Sequence, residues 1–207
     1  MANVLFVKAN DRPVEQAASV KMYETFLNAY KETHPSDVIT ELDLYKEELP
    51  YYGNNAITGN YKLSQGYDLT EEEKSAAAVA TRYLDQFLAA DKIVIAFPLW
   101  NFTAPAPLIN YMAYITQVGK TFKYTAEGPV GLVGDKKVVL LNARGGIYSV
   151  EPMSSIESAV KPLKATLGLF GIQPLEVIIE GHNQFKDRSE EIISEGLKET
   201  AKLAASF

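Results

Sequence analysis

Three short, wholly apolar runs mark the chain, at residues 4–7, 93–97 and 138–141. Such runs are typical of strands that are buried on both faces of a parallel sheet. Residues 38–44 alternate apolar and polar positions, and residues 175–180 carry two glutamates, so these segments are predicted to be edge strands. Apolar residues at helical spacing occupy the intervals and predict five helices, near residues 15–33, 70–91, 105–118, 156–170 and 189–205.

Local signals refine where these helices begin and end. Thr70 and Glu73 have the spacing of a capping box, which predicts the first turn of a helix. Pro162 lies inside a helical pattern and is expected to kink or split that helix. Gly119 is expected to close the helix that begins near Pro105, from the position just past its last turn.

Five strands that alternate with helices predict an α/β fold with a parallel sheet, right-handed crossovers and helices on both faces. Three strands are wholly apolar and two have edge character. The doubly wound, flavodoxin-like order 2-1-3-4-5 places the second and fifth strands at the edges, which agrees with this pattern. We therefore expect a single flavodoxin-like domain over residues 1–207, without internal repeats or linkers.

Two segments interrupt the alternation. Residues 45–69 have no sustained period and carry three glycines and several tyrosines, so they are predicted to be a long insertion without regular structure. The tyrosines indicate an ordered segment that packs on a ligand, on a partner subunit or on its own core. Residues 121–134 are glycine-bearing and predict a small hairpin-like insertion.

Composition excludes several classes of protein. The chain has 207 residues, no cysteine and two histidines, which excludes disulfides, cysteine nucleophiles and a histidine-rich metal centre. A net charge of −6 without a basic cluster argues against nucleic acid binding. The N-terminus has neither the charge nor the length of a signal peptide, and no apolar run approaches a membrane span. We therefore expect a cytoplasmic protein.

In this fold, ligands bind where the order of strands reverses, here between the first and third strands. The loop of residues 9–19 leads into a helix N-terminus that favours a phosphate, with Ser19 and Arg12 as further partners. After the third strand, Trp100 and Phe102 offer flat apolar surface and Asn101 a polar side chain. Gly145 and Gly146, after the fourth strand, allow backbone N–H groups close to a ligand.

A flat ring with polar edges and a phosphate tail satisfies all three loops, and flavin mononucleotide (FMN) is the obvious candidate. Neither a Gly-x-Gly-x-x-Gly motif nor a P-loop is present, so a Rossmann dinucleotide site or an ATP site is not indicated. Each feature also has a structural interpretation: Ser19 as a helix cap, Trp100 as a core residue, and the glycine pair as a plain turn.

Five motifs in this order make the resemblance specific: residues 97–102 (FPLWNF), 119–125 (GKTFKYT), 127–129 (EGP), 131–132 (GL) and 142–146 (NARGG). Together they are similar to the FMN-dependent NADH-azoreductase family, and most of all to its Bacillus-type members. The resemblance covers essentially the whole chain. It implies a flavodoxin-like homodimer with one FMN per subunit, completed at the interface. It also implies NADH-driven reduction of quinones to hydroquinones and of aromatic azo compounds to amines. Because nicotinamide and acceptor are expected to occupy the same place on the flavin in turn, we expect ping-pong kinetics.

Carried over by position, the resemblance implies two groups of FMN-binding residues. The ring contacts are Pro98, Leu99, Trp100, Asn101, Phe102, Asn142, Ala143, Arg144, Gly145, Gly146 and Tyr148. The phosphate contacts are Asn10, Ala17, Ala18 and Ser19. Ala9, Asn10, Ala17 and Ala18 stand where many family members have hydroxyls, so phosphate binding depends on backbone N–H groups, on Ser19 and on Asn10 or Arg12. No side chain is expected to act as an essential acid.

Two alternative functions remain open. A flavodoxin-type electron carrier would bind FMN without a substrate of its own, but its Thr-Gly-Thr-Gly-Asn-like phosphate loop is missing here. A flavin-free interaction domain would bind no cofactor. The preference for NADH or NADPH, the physiological acceptor and the role of His182, which is either a pocket wall or structural, are also open.

Overall fold

The structure, a computed structural model, describes all 207 residues of the chain. Five parallel strands form the central sheet in the order β2-β1-β3-β6-β7. Their bounds are Asn3–Lys8 (β1), Val38–Asp43 (β2), Lys92–Pro98 (β3), Lys137–Arg144 (β6) and Leu175–Glu180 (β7). A separate antiparallel hairpin is made of Phe122–Thr125 (β4) and Gly128–Gly131 (β5).

Seven helices accompany the strands. They are Ala18–Thr33 (α1), Asn54–Gln65 (α2), Glu71–Ala89 (α3), Ala106–Ile115 (α4), Met153–Ile156 (α5), Val160–Leu169 (α6) and Ser189–Ser206 (α7). None of them combines the length and the apolar character that crossing a bilayer requires.

The sheet separates two hydrophobic cores, because successive side chains of a strand point to opposite faces. In β3, Ile93, Ile95 and Phe97 pack with residues of α3, α4 and α6. Val94 and Ala96, between them, pack with residues of α1 and α7 on the other face. All five side chains are buried, which explains why the segment has no polar position.

The predicted fold is confirmed. Without the hairpin strands, the observed order is 2-1-3-4-5, with β2 and β7 at the edges. The hairpin within residues 121–134 and the capping box of α3 are also confirmed. The Thr70 hydroxyl accepts the Glu73 N–H at 3.2 Å, and the Glu73 carboxylate accepts the Thr70 N–H at 2.9 Å. Caps of this kind contribute about 1 kcal/mol to stability.

The prediction that residues 45–69 lack regular structure is wrong, because α2 lies within them. Gly53 and Gly66 suggested a loop, but they flank the helix, and Gly66 closes it with φ of 72°. Gly59 faces α3: a Cβ there would lie 2.7 Å from the Glu73 carbonyl oxygen and 3.1 Å from the Ala77 Cβ. The glycine therefore permits close contact between two helices.

Two predicted helix boundaries are also wrong. α4 ends at Ile115, with Thr116 as its C-cap, so Gly119 is not in the closing position. The Thr121 hydroxyl donates to the Ile115 carbonyl at 2.9 Å and satisfies one of the free carbonyls at that end. The helical pattern of residues 156–170 is split, but before Pro162, which is the third residue of α6. There its missing N–H costs nothing, since the first-turn N–H groups have no intrahelical partner.

Candidate functional site

Four loops meet at the carboxyl edge of the sheet and enclose a cavity of about 370 Å³. They follow β1, β3, β6 and β7, and the first turns of α1 and α7 complete the wall. The position is the one at which doubly wound sheets bind ligands. Its charged side chains are Arg12, Glu15 and Lys21.

The N-terminus of α1 supplies unpaired N–H groups to this cavity. The N-cap residue, Ala17, has no side chain that could cap the helix. The N–H groups of Ala18 and Ser19 have no acceptor in the protein. Free N–H groups and the helix dipole favour an anion at this position.

Two buried polar side chains support this helix start. The Asn10 amide donates to the Ser19 hydroxyl at 2.9 Å, and the Asn10 carbonyl oxygen accepts the Arg12 N–H at 3.0 Å. Asn10 and Ser19 are each 2% exposed. Ser19 is the second residue of α1, so it does not act as the helix cap. The pair instead joins the loop after β1 to the first turn of α1.

The loop after β3 contains a strained two-residue turn. Trp100 and Thr103 exchange backbone hydrogen bonds of 3.0 Å in both directions. Between them, Asn101 and Phe102 have φ of 48° and 68°. A turn with positive φ at both central positions favours Asn and Gly, so Phe102 is the costly residue, at about 1–3 kcal/mol. Strain of this kind concentrates at functional sites.

The loop after β6 contributes a glycine, Gly145, to the wall of the cavity, so that backbone without a side chain lies there. The N–H groups of Gly145 and Gly146 have no acceptor in the protein, whereas the Gly145 carbonyl accepts the N–H groups of Asn183 and Gln184. A Cβ on Gly145 would lie 2.7 Å from Asn183 Nδ2 and 3.2 Å from Asn183 Cβ. A side chain on Gly145 would therefore push Asn183, which lines the cavity.

His182, in the loop after β7, also lines the cavity. Its Nδ1 atom is buried and has no hydrogen-bond partner in the protein. Burial, and next the charge of Lys21, lower the pKa of His182 below its ordinary value of 6.5. The imidazole is therefore neutral at pH 7, and its unpaired nitrogen is buried.

Comparisons with known proteins agree with this geometry. The chain matches the flavodoxin-like fold family over residues 2–204. The FMN-dependent NADH:quinone oxidoreductase 4 of Bacillus cereus is 62% identical over 208 residues, and the match covers 100% of both chains. The chain belongs to the flavodoxin-like fold family. The family resemblance drawn from the motifs is confirmed by these relatives.

Solved structures extend the comparison. The crystal structure of azoreductase from Bacillus anthracis has a TM-score of 0.98 and 60% identity, and the match covers 100% of both chains. An FMN-dependent NADH-azoreductase from Bacillus anthracis, solved in complex with FMN, has a TM-score of 0.89 and 29% identity. It is matched over 99% of its length and 100% of this chain.

Within this member of the flavodoxin-like family, nine of the residues expected at the site line the cavity. They are Asn10, Ala17, Ala18, Ser19, Pro98, Leu99, Trp100, Ala143 and Gly145. The other six, which lie outside the wall of the cavity, are Asn101, Phe102, Asn142, Arg144, Gly146 and Tyr148. The rings of Phe102 and Tyr148 contact each other edge to face, with centroids 6.2 Å apart. Asn142 and Arg144 are buried and bonded to each other instead.

Six cavity residues were missed by sequence reasoning or left without a role: Asn183, Ser189, Ile193, Lys21, Glu15 and Gln16. The first three follow β7, the edge strand. The loops that follow the strands of a parallel sheet lie at the same edge. This rule, applied to β7, would have predicted that the loop after it also lines the cavity. Lys21 lies one turn into α1, on the side that faces the cavity.

Proposed function

We propose that this chain is an FMN-dependent NADH:quinone oxidoreductase and azoreductase. The observation that carries the proposal is the convergence of unpaired N–H groups on one cavity, from the start of α1 and from the loop after β6. The names of its full-length relatives, an FMN-dependent NADH:quinone oxidoreductase and an azoreductase, and the FMN complex of one structural neighbour support it.

The residues present fit FMN at both ends. The phosphate would accept the Ala18 and Ser19 N–H groups, which have no other partner. The ring would lie against Trp100, with its polar edge toward the backbone of Gly145, where a Cβ would push Asn183. A volume of about 370 Å³ is within the range of ordinary ligand pockets. One FMN per chain follows from one such cavity.

Bound FMN would supply the redox chemistry, taking a hydride from NADH and passing two electrons to the acceptor. The quinone reaction balances as NADH, a proton and a quinone giving NAD⁺ and a hydroquinone. Cleavage of an azo bond to two amines takes four electrons and therefore two molecules of NADH. We propose ping-pong kinetics, in which the acceptor would take the place that the oxidised nicotinamide leaves.

The protein's own part is binding and orientation. The N–H group of Gly145, which lines the cavity, has no protein acceptor and would stabilise negative charge at the N1–C2=O edge of the reduced ring. His182 is neutral and unpaired at Nδ1, so it adds no positive charge to the wall. No side chain needs to act as an acid, since solvent can protonate the products.

We also propose that the chain forms a homodimer that completes the site. Large apolar side chains are exposed on the segment around α2, with Tyr51 93% exposed and Tyr61 59% exposed. The hairpin carries another, Tyr124, at 71%. Tyr61 contacts the exposed Tyr67 edge to face, with ring centroids 6.4 Å apart, and apolar side chains exposed side by side indicate an interaction surface. Light scattering at micromolar concentration should give twice the mass of 22.9 kDa; the mass of a monomer would contradict the dimer.

The test is an absorbance spectrum of the purified protein, followed by anaerobic NADH and a chase with a quinone or an azo dye. Rapid loss of the oxidised flavin band with NADH, and its return with the acceptor, is the expected result. A flavodoxin-type carrier would keep its colour when it is mixed rapidly with NADH. Protein that shows no flavin absorption, and gains none on reconstitution, would contradict the proposal.

A further inference from the structure

A cluster of three charges lies beside the cavity, and two of them, Arg144 and Glu157, are buried while Glu180 is partly buried. The Arg144 guanidinium is 3.6 Å from the Glu180 carboxylate and 3.9 Å from the Glu157 carboxylate. Arg144 and Glu157 are each 4% exposed. Buried ion pairs are a poor source of stability, because desolvation of the charges offsets their attraction. The cluster, with two acids and one base, therefore needs a reason other than stability.

Arg144 is tied first to the loop after β3. Its Nε donates to Asn142 Oδ1 at 2.7 Å, and Asn142 Nδ2 donates to the Phe97 carbonyl at 3.0 Å. Phe97 directly precedes Pro98, where the loop begins. These two bonds join the ends of β3 and β6 through side chains, in addition to the backbone pairing of the two strands.

Glu180 ties Arg144 to the loop after β6. Its carboxylate accepts the Tyr148 N–H at 2.9 Å and the Ser149 hydroxyl. Both residues follow the Gly145–Gly146 pair, whose N–H groups are free. The pose of that glycine pair therefore depends on where the Glu180 carboxylate is held.

Glu157 connects Arg144 to the strained turn at residues 100–103 through a second set of hydrogen bonds. Its carboxylate accepts the N–H groups of Ala159 at 2.8 Å and Val160 at 2.7 Å, which fixes the start of α6. The intervening residue, Ser158, donates its N–H to the Phe102 carbonyl at 2.7 Å. The Thr103 hydroxyl donates in turn to the Ser158 carbonyl at 3.2 Å.

We infer that Arg144 is a positioning residue, which holds the loop of residues 97–103 and the loop of residues 145–149 in register for a flavin ring. The inference rests on the proposed function. Arginine suits this role because its planar fork can reach acceptors in three directions, toward Asn142, Glu180 and Glu157. Lysine has one ammonium group and cannot reproduce that geometry.

The test compares Arg144→Lys and Glu180→Gln with Glu176→Gln. Glu180→Gln removes the charge but keeps an oxygen for the Tyr148 N–H, so it is expected to fold even if Arg144→Lys does not. Glu176→Gln is the matched control, because Glu176 lies on the same strand and pairs with Lys164 on the surface at 3.0 Å. FMN and riboflavin affinities are measured by fluorescence quenching, well below the unfolding temperature of each variant.

We expect Arg144→Lys and Glu180→Gln to weaken FMN and riboflavin by the same factor, about tenfold, by analogy with metal sites, where loss of an outer-shell partner costs about 10–100-fold in affinity. The absorbance bands of bound FMN should shift as well. A merely structural role would lower the unfolding temperature but leave both affinities and the bands unchanged, and that result overturns the inference. If the wild type binds flavins and the variants bind them equally well, only this inference fails. If the wild type binds neither flavin, the proposed function fails with it.

Discussion

The free N–H group of Ala18 is the most specific contact that we propose for the phosphate of FMN, and proline can remove it. Ala18 is the first residue of α1, where proline is well tolerated because no intrahelical bond is lost. Ala17, which precedes it, already has the extended backbone that a following proline requires, with φ of −132° and ψ of 108°. Ala18→Pro should therefore fold and keep the helix.

The magnitude follows from the kind of bond that is lost. A hydrogen bond to a charged group contributes about 1.5–3 kcal/mol. Its loss should weaken FMN binding by about tenfold to a hundredfold, at about 1.4 kcal/mol for each factor of ten. Riboflavin has no phosphate and makes no bond to that N–H, so its affinity should stay close to that of the wild type.

The assay is parallel titration with FMN and riboflavin at one pH and one ionic strength, followed by flavin fluorescence. Glu71→Pro is the control. Glu71 is also the first residue of a helix, α3, and its N–H also has no acceptor in the protein, but it lies outside the proposed FMN cavity. It should change neither affinity. If Ala18→Pro binds FMN like the wild type, or loses both flavins equally, the reasoning about the phosphate is refuted.

Three further predictions concern stability, pH and the ring. Gly131→Ala should unfold the protein at a much lower temperature, by several kcal/mol, because its Cβ would overlap the backbone of Phe170. At Gly168 an added Cβ would meet nothing within 4 Å, so Gly168→Ala should instead stabilise α6 by about 1 kcal/mol. A melting temperature equal to that of the wild type would contradict the prediction for either variant. Because burial lowers the pKa of His182, the unfolded chain binds that proton first, and stability of the apoprotein should fall as pH drops below 6.5. The free energy of unfolding of His182→Gln, measured in urea, should lack this fall below pH 6.5. If it depends on pH as steeply as that of the wild type, the prediction is contradicted. Trp100 is the only tryptophan, so bound FMN should quench its fluorescence, and unquenched emission at saturation would show that the ring lies elsewhere.

The fold could be predicted because burial on both faces of a parallel strand leaves no polar position. Residues 93–97 show this pattern without exception, and they form the central strand. α2 could not be predicted in the same way. Gly59 lies against α3 with no room for a Cβ. In the local sequence a glycine indicates a turn, whereas here it permits two helices to pack closely.

The candidate site could be predicted only in part. Loop positions follow from the order of strands, so the start of α1, Trp100 and Gly145 were found. Side-chain direction depends on tertiary partners, which sequence does not display. Arg144 is the example: its place in a glycine-bearing motif suggested a ring contact, whereas two glutamates from distant segments draw its guanidinium into the interior.

The crystal structure of this protein with FMN would test the central claim most directly. We predict the ring against Trp100 and Gly145, and the phosphate within hydrogen-bond distance of the N–H groups of Ala18 and Ser19. A flavin in another groove, such as the one lined by Pro50 and Val79 beside α3, would contradict the account. So would a phosphate that points away from α1.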